Sequence, residues 1–187
     1  RHVVLSGTDG IIELNQFTRG GTGGNSGSGT ITASGIRSQI RGNEVYNDQS
    51  VSGSIFVGTG FTTEANRVII RENLVRDMTT NAIFAGSGTL VENNTIRNTT
   101  VPAFGTRTAI SSSGWVRNNL IHTSDYGLTG TGTFENNRLY NNRRAINAIG
   151  GDRYLDNRIY DNTEAIFVNG FNTVLTNNEL YRNDLGI

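Results

Sequence analysis

The stretch Phe134 to Asn142, FENNRLYNN, recurs in looser form along the whole chain, and this repetition constrains the fold more than any other feature. With Asn137 as the reference, the equivalent positions are Asn15, Asn43, Asn73, Asn94, Asn119, Asn157 and Asn178, at intervals of 18 to 30 residues. Intervals in that range mark a solenoid, in which each repeat stacks on its neighbours. Two residues after every Asn stands an apolar side chain: Phe17, Val45, Val75, Ile96, Ile121, Leu139, Ile159 and Leu180. Three residues before it stands another: Ile12, Ile40, Ile70, Val91, Val116, Phe134, Tyr154 and Leu175. A third column, usually after a small residue, reads Ile55, Ile83, Ile110, Leu128, Ile146, Ile166 and Ile187.

Three short apolar-bearing segments per repeat, without helical spacing, cannot bury themselves alone but can stack on like neighbours. The pattern therefore predicts an all-β coil of about eight turns, each adding one strand to each of three parallel sheets about 4.8 Å from the last. The Asn column is expected to supply the left-handed residue of a tight bend, because Asn tolerates positive φ better than most side chains. It is also expected to form a ladder, each amide donating to a carbonyl of the adjacent turn and satisfying groups that are costly to bury unpaired.

Runs such as VENNTIRN, VRNNLIHT and LTNNELYRN resemble the repeats of right-handed parallel β-helix proteins. That pectate-lyase-like superfamily includes pectate lyases, pectinases, alginate epimerases and phage tailspikes. The resemblance covers essentially the whole chain. It implies a right-handed coil and an extended groove along one sheet, and it selects no chemistry, because fold and function are separable.

Length and composition fit this fold. The 187 residues suit one β-helix domain, 1–187, and 24 Gly against one Pro suit many bends around regular strands. Because the pattern runs into both ends, a piece of a longer chain is expected, with open strand edges on which another copy or domain can stack. The formal charge of +0 gives no electrostatic case for nucleic acid or an anionic membrane, and no apolar run approaches a membrane span. An extracellular or cell-surface location is expected. All 16 basic side chains are Arg, so a Walker phosphate loop and a Lys Schiff base are excluded; the absence of Cys excludes thiolate metal sites.

In chain order, Arg1 to Leu5 is expected to end a preceding turn, with Val4 inward. Arg19 to Gly29 is a Gly- and Ser-rich insertion that reads as a surface loop. A calcium-binding glycine repeat needs regularly placed Asp, and this run has none, so no cofactor is expected. Two further insertions, Val57 to Arg67 and Thr99 to Ala109, follow and precede the third column and are expected to wall a groove on opposite sides of one sheet. The residue after each third-column apolar forms its floor: Phe56, Phe84, Ser111, Thr129, Asn147 and Phe167. Phe56 and Phe84 are expected as stacked neighbours that receive sugar rings, or that the insertions or a partner cover. The candidate substrate-binding residues are thus Phe56, Phe84, Phe167 and Asn147, with Arg107 from the third insertion.

Other outward columns read as structural. Arg41, Arg71, Glu92, Arg117 and Glu135 are expected to pair across adjacent strands from Arg71 onward, and Tyr140, Tyr160 and Tyr181 to stack. A lyase or epimerase of this fold needs a carboxylate clamp, a base and an acid. The nearest constellation is His122, Asp125 and Tyr126 in one turn, with Arg144 and Glu164 equivalent to Tyr126 in the next two. Tyr126 would act as base or acid, His122 as its partner and Arg144 as the clamp. The competing expectation is a surface column in which Arg144 pairs with Glu164 and Tyr126 packs on Arg144. Hydrolysis wants carboxylates on the floor, which carries none, and two His make a transition-metal site unexpected. The expected function is a rigid extracellular structural or polysaccharide-binding module, with a polysaccharide lyase or uronate epimerase acting on an acidic glycan as the alternative.

Overall fold

A three-residue strand with one apolar residue at its centre covers a core only if the same centre recurs on the strands beside it. The computed structural model describes residues 3–18, 29–46, 54–58, 64–99 and 107–187. They form 24 strands in three parallel eight-stranded sheets, each turn adding one strand to each sheet. This is a right-handed parallel β-helix of eight turns. Sheet A runs from Val3–Leu5 to Glu164–Val168, sheet B from Ile11–Glu13 to Val174–Thr176, and sheet C from Gln16–Thr18 to Glu179–Tyr181. A 3-10 turn, Glu64–Asn66, is the one helical element among the described residues.

The three apolar columns fill the interior. Ile40, Ile70, Val91 and Val116 of sheet B meet Val45, Val75, Ile96 and Ile121 of sheet C and Ile55, Ile83 and Ile110 of sheet A, all fully buried. Ile31, hidden from the sequence count by the glycine-rich insertion before it, extends the sheet A column one turn earlier by pairing with Ile55. Further along, the core rings of Phe134 and Tyr154 stack at 4.8 Å, and the Tyr154 hydroxyl donates to Asp152 at 3.2 Å. Burial, with the Asp152 carboxylate beside it, pushes the Tyr154 phenol far above its ordinary pKa, so it stays a donor.

Val4 is not inward. It is 62% exposed, while Val3 and Leu5 pack on the core, because Val3 pairs with Ile31 and Leu5 with Ala33. At the other end Ile187 keeps its expected place next to Ile166 but is 79% exposed, lining an open cavity with Leu175 and Leu180 at the C-terminal face of the coil.

The Asn column forms an unbroken ladder from Asn15 to Asn178. Asn119 is typical: its Nδ2 faces the carbonyls of Val91 (3.0 Å) and Arg117 (2.9 Å) and the Oδ1 of Asn137 (3.0 Å). Its own Oδ1 accepts from the backbone N–H and the Nδ2 of Asn94. The bend itself is made differently from the expectation. The left-handed residue is the one before each ladder Asn: Leu14, Gly42, Glu72, Asn93, Asn118, Asn136, Asp156 and Asn177, with φ between 53 and 62°. Placing the positive φ one residue earlier turns the ladder amide inward, where its hydrogen bonds are sheltered from water.

A second ladder stands at the corner between sheets C and A. The backbone N–H of Ser124 donates to Asn142 Oδ1, that of Asn142 to Asn162 Oδ1, and that of Asn162 to Asn183 Oδ1, at 2.9 to 3.0 Å. Left-handed Thr123, Asn141, Asp161 and Arg182 precede these rungs. The two ladders make the C-terminal half regular, whereas Met78 and Thr99 occupy the equivalent places in earlier turns.

Replacing Asn119 by Ala deletes donors and an acceptor in a 1% exposed position, so we expect a loss of about 2 kcal/mol or more in urea denaturation. Arg117→Ala removes a half-exposed partner of Glu92 and is expected to cost at most about 1 kcal/mol. Equal losses in the two variants would show that the ladder does not carry the corner.

Candidate functional site

The outer face of sheet A carries the floor column in register: Phe56 beside Phe84, Phe84 beside Ser111, then Thr129, Asn147 and Phe167. Strand alternation points these side chains away from the core, and each is at least partly exposed. The two insertions expected to wall the groove attach at opposite ends of the sheet A strands, one leaving after Val57 and one entering before Thr108. Most of the Gly-rich insertion, together with residues 59–63 and 100–106, lies outside the described residues.

Phe56 and Phe84 do stack, with ring centroids 5.1 Å apart and planes 11° from parallel. Stacking turns one face of each ring toward the other, so the pair offers solvent its edges, an apolar ridge rather than two open platforms. Between Phe84 and Phe167 lie three polar steps. The Thr129 hydroxyl donates to the Asn147 carbonyl at 2.9 Å, and the Asn147 Oδ1 accepts from Arg144 at 3.0 Å. Arg107 stands at the edge of the same sheet, where its Nε donates to the Thr79 carbonyl at 2.9 Å.

Arg144 is the hub of the proposed catalytic group. Its Nε donates to Glu164 Oε2, and its Nη1 lies 3.3 Å from the Tyr126 hydroxyl. The guanidinium also covers the rings of Phe167 at 4.0 Å and Tyr126 at 4.9 Å. With 16% of its side chain exposed, Arg144 is held on all sides, and a carboxylate already occupies the fork that a uronate would need. Asp125 lies one residue before Tyr126, its Oδ1 3.8 Å from Arg143 Nε and its Oδ2 buried without a hydrogen-bond partner.

His122 is not part of that group. It belongs to sheet C, while Tyr126 opens a strand of sheet A, and left-handed Thr123 and the ladder residue Ser124 turn the chain between them. His122 instead heads the tyrosine stack: His122 to Tyr140 is 4.8 Å, Tyr140 to Tyr160 5.3 Å and Tyr160 to Tyr181 4.9 Å. Four residues of sequence separation suggested proximity, but a corner of the coil separates the two side chains.

The charge columns pair in part as expected: Glu92 bonds Arg117 at 2.9 Å. One turn before the expected start of pairing, Glu13 also bonds Arg41, at 2.6 Å. Arg71 lies beside Glu92 on the adjacent strand as expected, but its Nη2 donates to Gln39 at 3.3 Å. Among the described residues, no group of three or more His, Cys, Asp or Glu is arranged to hold a metal ion.

Comparison with protein-family models, with curated proteins and with solved structures finds no match for this chain. Fold and site therefore rest on the repeat and on the geometry above.

Burial, and then the charge of Arg97, hold the His122 imidazole below its ordinary pKa of 6.5. The folded protein thus binds fewer protons than the unfolded chain just below that value, and stability falls as pH drops through the window. Thermal melts from about pH 7 to about pH 5 are expected to show a falling midpoint, and His122→Phe, which keeps the stack, to flatten it. The paired carboxylates Asp77 and Asp161, whose pKa values are lowered below 3.8, lose their contribution only in more acid solution. An unchanged slope in His122→Phe would exclude this histidine as the source.

Proposed function

We propose that this protein is a rigid, surface-exposed module of the pectate-lyase-like β-helix type that holds an extended polysaccharide along the outer face of sheet A. The observation that carries the reading is the column Phe84, Ser111, Thr129, Asn147, Phe167: hydrogen-bonding side chains on consecutive strands, bracketed by aromatic edges. Four strand steps separate the two Phe residues, about 19 Å at the usual spacing, a length suited to several sugar units in a line. Sugar hydroxyls meet Ser, Thr and Asn, and sugar C–H faces meet the aromatic edges. A backbone fixed by two amide ladders offers these groups without reordering, which keeps the entropic cost of binding low.

Elimination or epimerisation on a uronate is weakly favoured by comparison. Tyr126 and Arg144 are neighbours, yet the guanidinium is paired with Glu164, and a substrate carboxylate has to displace that partner before any proton moves from carbon. Without a free clamp, the carbon acid is not activated.

Affinity electrophoresis in gels containing neutral and acidic polysaccharides is the direct test. Retardation by at least one polysaccharide is expected, and Phe84→Ala or Phe167→Ala is expected to weaken it by about 1 kcal/mol, roughly fivefold in the binding constant. Arg153→Ala, on sheet B, should leave retardation unchanged. Uniform migration in every gel would remove the proposal. Rising ultraviolet absorbance with a uronate polysaccharide, lost in Tyr126→Phe, would replace it with a lyase.

A further inference from the structure

The outer face of sheet B carries a row unlike those of the other two sheets. Gln39, Ile69, Leu90 and Trp115 are register neighbours on four successive strands. Leu90 is only 5% exposed although its backbone position faces away from the core, while Trp115 remains 41% exposed. Beside this row lies an open depression of about 580 Å³, lined by Ile69 and Leu90 and by the polar groups Asp9, Arg37, Gln39 and Arg67. The Arg67 guanidinium sits 4.8 Å from the centroid of the Trp115 ring, so the indole touches a residue that lines the depression.

The polar side of the depression is fixed in place. Arg37 donates from Nε to Asp9 Oδ1 at 2.6 Å and from Nη2 to Asp9 Oδ2 at 2.8 Å, a parallel two-bond fork. Asp9 and Arg37 both hold left-handed backbones, with φ of 58 and 55°, at the corner between sheets A and B. The Asp9 N–H donates to the Ile36 carbonyl at 3.0 Å and the Arg37 N–H to the Asn66 carbonyl at 3.3 Å, so backbone bonds tie the pair into three successive turns. The Arg37 hydrogen bonds hold the Asp9 carboxyl below the usual carboxylate range and keep the pair ionised. Gln39 uses its carbonyl oxygen to accept from Arg41 and Arg71, which leaves its two Nε2 hydrogens for a ligand.

We infer that this depression binds one neutral pyranose unit of a glycan, its C–H face on Ile69 and Leu90 and two adjacent hydroxyls on the Asp9–Arg37 fork. The volume falls within the range of small-molecule sites, about 300 to 1,000 Å³. The apolar floor rewards removal of ring hydrogens from water. The fork presents acceptors and donors side by side with no net charge, which matches a vicinal diol: one hydroxyl donates to Asp9 and the next accepts from Arg37 Nη1. A fully charged ligand gains less there, because each ion already has its counter-ion. The site is on a different sheet from the Phe84 strip and does not rest on the function proposed for that strip.

Trp115 is the single Trp of the chain, so its emission reports on this site without labelling. The folded protein is titrated with glucose-, galactose-, mannose- and rhamnose-containing oligosaccharides and with glucuronate, following Trp115 emission and, in parallel, heat by calorimetry. A saturable response to a neutral sugar is expected by either readout, with a dissociation constant in the millimolar range or tighter, that is about 1 mM. Arg37→Gln and Asp9→Asn, verified as folded by circular dichroism, are expected to weaken binding about tenfold or more. Arg153→Gln should bind like the unaltered protein, and the Trp115 signal separates this site from the sheet A strip, which carries no Trp. The inference is overturned if no neutral sugar gives saturation at concentrations up to about 50 mM, if glucuronate binds more tightly than its neutral counterpart, or if Arg37→Gln binds unchanged.

Discussion

A buried carboxamide bonded to the turn on either side is the interaction on which the rest of this molecule depends. Asn is suited to the place because one side chain offers two donors and an acceptor; a carboxylate lacks the donors and carries a charge, and a hydroxyl has one donor. Asn73 illustrates the consequence: its Nδ2 approaches Ile40 O, Arg71 O and Asn94 Oδ1, all at 2.9 Å, and its own oxygen accepts from Asn43. The Asn-to-Asn bonds of the ladder join residues 18 to 30 apart in sequence, so they act on the stacking of turns and not on any one strand. They also set register. A slip by one residue would set an amide against an apolar row and turn every inward side chain outward.

Register transmits itself to the surface. Because each outward residue lies one strand spacing from its counterpart in the next turn, like side chains stack on one another and opposite charges pair. The Tyr140, Tyr160 and Tyr181 stack and the Arg158–Glu179 pair are products of this rule. A column of one residue type occupies its own ring faces and charges. The two proposed binding sites lie where a column changes character: Phe84 to Ser111 on sheet A, and Leu90 to Trp115 on sheet B. The Tyr126, Arg144, Glu164 column changes at every step, yet its members satisfy one another, which is why it reads as a braced surface rather than an open site.

The inward columns of sheets B and C were legible because each apolar position recurs at a fixed offset from an Asn, and a fixed offset survives insertions elsewhere in the turn. Where that anchor is missing, the sequence misleads. Val3, Val4 and Leu5 are all apolar, so composition cannot choose the inward pair; pairing with Ile31 and Ala33 does. Thr99 and Ser124 stand where the second ladder later carries Asn142, Asn162 and Asn183, and three Asn among many gave no column to follow. The residue that takes the left-handed bend is Leu14 in one turn, Glu72 in another and Asp156 in a third, so neighbouring Asn residues drew the assignment one position too far. His122 and Tyr126 looked like partners for the same reason in reverse: four residues are close along a strand but not around a corner. The depression on sheet B could not be read at all, since Asp9, Arg37, Ile69 and Leu90 come from four turns of unequal length.

Electrostatics narrows what such a surface can recognise. With a formal charge of +0, and Arg residues such as Arg37, Arg41, Arg117, Arg144, Arg158 and Arg182 each bonded to a carboxylate on an adjacent turn, the described surface projects little long-range field. Steering of a distant polyanion is correspondingly weak. Contacts on this protein act at hydrogen-bond range, and each is modest. A ligand gains from them chiefly by making several at once along a line that the ladder keeps straight, or by offering two at a fixed angle to a fork such as Asp9–Arg37. Extended hydroxyl-rich chains meet the first condition and individual sugar rings the second. On the proposed reading, the same stacking that removes net charge from the surface favours neutral, repetitive partners over highly charged ones.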